Sequence, residues 1–271
     1  LSENTVTSAD GTTIAYSVAG EGDLLVLIDG ATAYRATTPE DAEIAALLAD
    51  GFRVVAYDRR GRGGSGDTAP YAVEREIEDL AALIAATGDG RPVTLFGWSS
   101  GALLALHAAQ AGVPVTRLAL FEPPVVADDA RPPLPADYVE QLDAAVAEGR
   151  RGDAVELFMT AAAGLPPEMV AGMRHAEFWG GLEAIAPTIA YDGRIVGDTM
   201  SGRPLPADLW DRVDAPVLVL HGVGTWPHLA GGSRAVAEHL RSATLEAVPG
   251  ENHSATAETL APVLRRFMDG D

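Results

Sequence analysis

The 271-residue chain carries 39 acidic against 19 basic side chains, a formal net charge of −20, and has 47% hydrophobic residues and no cysteine. A charge this negative repels phosphate backbones and anionic lipid, so no nucleic-acid or membrane partner is expected. The missing cysteine excludes a disulfide framework, a thiolate nucleophile and a zinc–cysteine site.

All 19 basic residues are arginine, so a covalent mechanism has neither thiol nor amine side chains to use. The apolar runs Leu24 to Ile28 and Pro216 to Leu220 fall far short of the roughly 20 residues that cross a bilayer. The start Leu1-Ser2-Glu3-Asn4 lacks a basic segment followed by an apolar one, so a signal peptide is not expected and a cytoplasmic location is.

In chain order, Asp10-Gly11 turns a hairpin of strands at 4–8 and 12–18. Strands follow at 24–29, 53–57, 93–97, 117–121, 216–221 and 244–248, and helices fit 39–50, 72–87, 100–112, 229–241 and 256–269. The first helix begins Thr38-Pro39, a capping residue followed by proline at the first helical position. Short β-rich runs alternating with helical ones predict an α/β fold, a mostly parallel doubly wound sheet with helices on both faces. Between Pro123 and Pro206 the alternation stops. The proline-rich run Arg131-Pro132-Pro133-Leu134-Pro135 leads into helical pieces near 136–149, 153–163, 167–175 and 178–189. The expected organisation is therefore a core in two parts, 1–129 and 206–271, with a helical cap at 130–205 over the edge where such sheets bind ligands.

The sharpest chemical signal is Gly97-Trp98-Ser99-Ser100-Gly101, between an apolar strand and an alanine-rich helix. A serine on a tight strand-to-helix turn needs small residues two positions to either side, because neighbouring backbone comes close there. That frame selects Ser99 as nucleophile and leaves the Ser100 N–H at a helix N-terminus, able to donate to an oxyanion. A second donor is expected from Asp29-Gly30-Ala31-Thr32, where Gly30 lets the Ala31 N–H face the serine. Asp29 is the awkward neighbour there, expected to bond backbone or arginine side chains. The serine also needs a base. His253, in the loop Pro249-Gly250-Glu251-Asn252-His253, is presented at the same sheet edge. His107 and His239 fall within helices and His175 within the cap, whereas His221, ending a strand, and His228, after Trp226-Pro227, could line a pocket.

These motifs, with Asp58-Arg59-Arg60-Gly61-Arg62-Gly63-Gly64-Ser65, resemble the α/β-hydrolase superfamily over nearly the whole chain. The resemblance implies a triad in the order serine, acid, histidine, with the acid usually in the loop after the strand that here is 216–221. That loop, His221-Gly222-Val223-Gly224-Thr225-Trp226-Pro227, contains no carboxylate, and Thr225 stands roughly where an aspartate would be. Some members place the acid at the end of the strand after the nucleophile helix, which here is Glu122, with Asp128, Asp129 and Asp192 as alternatives. A glutamate there resembles the fungal zearalenone lactonases, which share Asp-Gly in the oxyanion loop and Ser-Ser-Gly at the nucleophile turn.

The implied function is a serine hydrolase cleaving an ester or lactone of a small, largely apolar substrate. Ligand binding without turnover, perhydrolysis, and thioester or C–C hydrolysis are the alternatives. No cofactor or metal is called for. Gly30, Trp98, Trp179 and Trp226 are the candidate pocket walls, with Phe178 beside them, and a homodimer stays open. Gly61-Arg62-Gly63-Gly64-Ser65-Gly66 matches a dinucleotide fingerprint, but Asp67 to Pro70 delay the helix that must open on its last glycine. A tight surface loop is the expectation there.

Overall fold

A computed structural model describes residues 2–270 of the chain. Its strands β1 (Ser2–Thr7), β2 (Thr13–Ala19), β3 (Asp23–Ile28), β4 (Phe52–Tyr57), β5 (Val93–Trp98), β6 (Arg117–Phe121), β7 (Val217–Gly224) and β8 (Ala243–Glu251) form one sheet. The order is β1-β2-β4-β3-β5-β6-β7-β8, antiparallel where β2 meets β1 and β4 and parallel elsewhere. All eight expected strands are present with ends shifted by no more than three residues, β7 and β8 running furthest beyond their expected ends.

Successive strand residues face opposite sides of a sheet, and this chain fills both sides with apolar groups. Leu24, Val26 and Ile28 join one core with helices α2 (Val73–Thr87) and α3 (Ser100–Gln110), whereas Leu25 and Leu27 join the other with α1 (Pro39–Leu48). Burying each such leucine is worth roughly 2 kcal/mol, so a one-residue register slip in β3 would undo both cores at once.

Between β6 and β7 lie α4 (Tyr138–Ala147), α5 (Arg151–Leu157), α6 (Pro167–Met173), α7 (Trp179–Ile185) and α8 (Ile189–Val196). A π-helical turn, Phe158–Ala162, follows α5. This insert has an apolar cluster of its own, around Leu142, Val155, Val170 and Trp179. The last helical piece was expected to end at 189; instead the chain bends through a 3-10 turn at Ala186–Thr188 and begins α8. The chain then returns through β7, α9 (Pro227–His239), β8 and α10 (Ala257–Asp269), with α9 on the first face of the sheet and α10 on the second.

One local expectation is corrected. Thr38 precedes α1 but makes no capping bond; its hydroxyl goes to Asp29 instead. The segment Gly61 to Gly66 is the exposed loop expected, with Gly63, Gly64 and Gly66 at the surface, but its Arg62 and the preceding Arg59 and Arg60 are buried. Arg59 forks onto Glu76, and Arg60 onto Asp79 with a further bond to Asp10. Carboxylates therefore offset the desolvation of these guanidinium groups. The helix after this segment opens at Val73 rather than on Gly66.

Candidate active site

The turn from β5 to α3 holds Ser99 at φ 51°, ψ −121°, a left-handed conformation that costs a residue with a Cβ on the order of 1–3 kcal/mol. The glycines around it permit the close approach. A Cβ on Gly97 would lie 2.4 Å from the Gly101 carbonyl oxygen, and one on Gly101 would lie 2.2 Å from the Ile28 oxygen. The Ser99 N–H donates to the Phe121 carbonyl at 2.9 Å, fastening the turn to the end of β6. Ser100 is a different kind of serine, since its hydroxyl donates to buried Asp192 at 2.7 Å.

The next residue along β6 is Glu122, fully buried and also at positive φ, +46°. Its N–H bonds the Leu220 carbonyl, and its Oε1 accepts from the Gly222 N–H at 2.8 Å. The other carboxylate oxygen meets His253 Nδ1 at 2.5 Å. Burial alone would raise this carboxyl. The bonds from His253 and Gly222 and the nearby imidazole charge outweigh it and hold Glu122 below the usual range. Thr225, at the acid-free position of the β7 loop, has a buried hydroxyl without a hydrogen-bond partner, and the carboxylate comes from one strand away. An ionised carboxylate only accepts hydrogen bonds, so Nδ1 carries a proton, and in a neutral imidazole that leaves Nε2 with its lone pair.

His253 is held by a two-residue turn. Glu251 and Ser254 exchange backbone bonds of 3.0 Å in both directions, with Asn252 at φ 51° and His253 at φ 64° between them. Both central residues being left-handed is the requirement of a type I′ turn, which asparagine tolerates well. Gly222 and Gly250 press together beneath it, where a Cβ on Gly222 would sit 2.7 Å from Gly250 backbone.

On the opposite side lies the segment after β3. Arg62 donates to the Gly30 carbonyl at 2.6 Å and to the Ala33 carbonyl at 3.2 Å, and Arg59 donates to the Asp29 carbonyl at 3.2 Å. In a trans peptide the C=O and the following N–H point in opposite directions. Pinning the Gly30 carbonyl on Arg62 therefore turns the Ala31 N–H away from the arginines. A Cβ on Gly30 would lie 3.1 Å from that of Ser99, so this segment abuts the serine. Arg59 and Arg62 converge in turn on the two oxygens of Asp192 from α8. Burial raises Asp192, but the two guanidinium charges and the Ser100 hydroxyl hold it below its ordinary value. With both oxygens committed there, Asp192 is not brought to His253.

Asp29 behaves differently from the expectation. Its side chain bonds Thr38 rather than arginine or backbone, one of its oxygens is buried without a partner, and burial pushes its carboxyl up to about 6. Asp41, buried nearby with both oxygens unpartnered, is pushed up by burial and by the Asp29 charge.

Ser99, Ser100, His253, Gly30, Ala31, Trp98 and Trp226 all line one cavity of about 360 Å³, at the lower end of the size range for small-molecule sites. Trp179 does not line it. That indole is buried in the insert, where its N–H donates to Glu183 at 3.0 Å, and Phe178 is exposed. His107 and His239 bond the carbonyls of Ile195 and Leu209. Of the two histidines that could line a pocket, His228 reaches the cavity stacked on Trp226 and His221 does not line it; sequence reasoning missed Arg131 in the proline-rich run.

Comparison with known proteins gives a consistent result. A model of the alpha/beta hydrolase family matches residues 25–265. An alpha/beta hydrolase from Sphaerobacter thermophilus superposes with a TM-score of 0.87 at 46% identity, covering 98% of this chain and all of that one. An enol-lactonase from Burkholderia xenovorans shares the fold at 21% identity, with a TM-score of 0.69, over 98% of this chain and 100% of its own. A non-heme chloroperoxidase from Streptomyces lividans is 29% identical over 97% of this chain and 99% of its own length.

Proposed function

The chain is a hydrolase of the alpha/beta hydrolase family, and we propose that it cleaves a small carboxylic ester or lactone through Ser99, His253 and Glu122. The observation that carries this reading is the 2.5 Å contact of a buried, ionised Glu122 with His253 Nδ1, because it leaves Nε2 as a base on the side of the cavity that Ser99 also lines. In this mechanism Nε2 takes the Ser99 proton as Oγ attacks the carbonyl carbon. The N–H groups of Ala31 and Ser100 receive the developing oxyanion. Collapse of the tetrahedral species expels the alcohol, which takes the proton from the imidazolium, or opens the lactone ring to a tethered alcohol. Water then attacks the acyl-serine by the same base catalysis, giving the free acid and restoring Ser99. Glu122 keeps its charge throughout and stabilises the imidazolium.

Ser99→Ala abolishes hydrolysis of short p-nitrophenyl esters and labelling by a fluorophosphonate, with folding checked by circular dichroism. Retained labelling in that variant overturns the assignment.

A further inference from the structure

Two acids at this cavity are already committed, Asp192 to Arg59, Arg62 and Ser100, and Asp29 to Thr38, and a third, Glu40, also lines it. Arg131 lines the same cavity and is met by no acid among the described residues. It is the one arginine lining the cavity, about half buried, and it bonds only two backbone carbonyls, those of Ala162 at 2.8 Å and Ala161 at 2.5 Å. Twelve of the 19 arginines form ion pairs with carboxylates, Arg131 not among them. A chain with twice as many acids as arginines thus leaves this cation without an anion among the described residues.

The two carbonyls close the π-helical turn Phe158–Ala162, and they hold the guanidinium plane over Gly164. Anchoring the helix end uses two of five N–H donors and accounts for the position of the group. The anchoring leaves the charge unexplained, since desolvation without an acid lowers this arginine from its usual value. His228, facing the same cavity, is pushed down by burial and by the charges of Arg131 and His253. Trp98, Val125, Val126, Leu134, Phe158 and Met200 make the remaining wall largely apolar.

We propose that Arg131 is a specificity-determining residue that binds a free carboxylate on the substrate, so that the enzyme acts on short monoesters of dicarboxylic acids or on carboxylate-bearing lactones. A guanidinium fork suits a carboxylate bidentately, and in a cavity that Ser99 shares that contact places the second carbonyl at the nucleophile. This inference rests on the Ser99 reaction for its chemistry, but the recognition is measurable without turnover.

The probes are monomethyl glutarate and methyl pentanoate, which share a skeleton and differ by carboxylate against methyl. Calorimetric titration of the Ser99→Ala protein shows monomethyl glutarate binding more tightly, and adding Arg131→Gln removes the preference by about 10- to 100-fold, the range for a charge-assisted hydrogen-bond pair. In enzyme with Ser99 intact, Arg131→Gln lowers the ratio of kcat/KM for the two esters by a similar factor, mainly through KM. Arg131→Lys retains part of the ratio, and Arg203→Gln, at an exposed position, leaves it unchanged. Equal binding of the two esters, or a ratio that Arg131→Gln does not move, overturns the inference. If Arg131→Gln is too unstable to assay, Arg131→Lys decides: a ratio lost as completely as binding itself overturns recognition by charge. Should Ser99→Ala hydrolyse both esters at the parental rate, the serine mechanism fails while the binding preference still decides the role of Arg131.

Discussion

Glu122 and Asp192 are both buried carboxylates within reach of the nucleophile turn, and both are held ionised, yet they face different kinds of cation. Glu122 meets an imidazole, whose charge can change when a proton arrives from Ser99. Asp192 meets two guanidinium groups, which do not titrate in proteins. The first pair can therefore respond during a reaction, whereas the second can only fix positions: that of α8 against the core, of the Ser100 hydroxyl and, through the arginines, of the carbonyls of Asp29 and Gly30. Asp29 completes the contrast. It is equally buried but ends near Thr38 with an unpartnered oxygen, and its carboxyl rises to about 6. Partner, not depth, decides what a buried acid does here.

The comparison breaks most visibly at Glu122. Glu122→Gln keeps the shape but no longer fixes the Nδ1 proton or stabilises an imidazolium, so kcat for a neutral ester falls about 10³–10⁴-fold, with the melting temperature shifting by far less than in the next variant. Asp192→Asn has the opposite signature: two buried guanidinium groups lose their shared anion, and urea denaturation registers a loss of about 3–5 kcal/mol. If instead Asp192→Asn removes turnover from a stable protein and Glu122→Gln does not, the acid belongs to the insert.

Asp29→Asn sharpens the third case. Asp29 has a folded pKa near 6 against 3.8 for the free side chain, so the native state holds the proton more tightly. Its stability contribution is complete below pH 4 and disappears as pH rises through 6, a loss of about 3 kcal/mol or less. Asparagine carries no such loss, so the melting temperature of Asp29→Asn relative to the parent climbs between pH 4 and pH 6 and then levels. A flat difference across that range refutes the unpaired state of Asp29.

Features written within a few residues were legible in the sequence. Gly97 and Gly101 frame Ser99 because the steric demand is local, and His253 follows from its place in the last strand–helix loop. Glu122 needed the superfamily resemblance, since no short pattern ties it to a histidine 131 residues away. The burial of Arg59, Arg60 and Arg62 was not legible for the same reason, because their partners Glu76, Asp79 and Asp192 arrive from elsewhere. Thr38 looked like a helix cap because position alone suggests one, while its hydroxyl is captured by an acid nine residues upstream. Trp179 looked like pocket wall because an aromatic in an amphipathic helix fits either a cavity or a helix–helix core.

The bond between Arg59 and Asp192 spans 133 residues of sequence, and Tyr191, beside that aspartate, stacks on Tyr71 at 3.7 Å. Inheritance of the insert is thereby constrained. A recombinant that exchanges the segment between β6 and β7 for a related one, but brings no carboxylate at position 192, leaves Arg59 and Arg62 charged, buried and short of an anion inside an otherwise unchanged core. The insert and the segment after β4 form one unit of exchange, and breeding new specificities on this scaffold means moving them together.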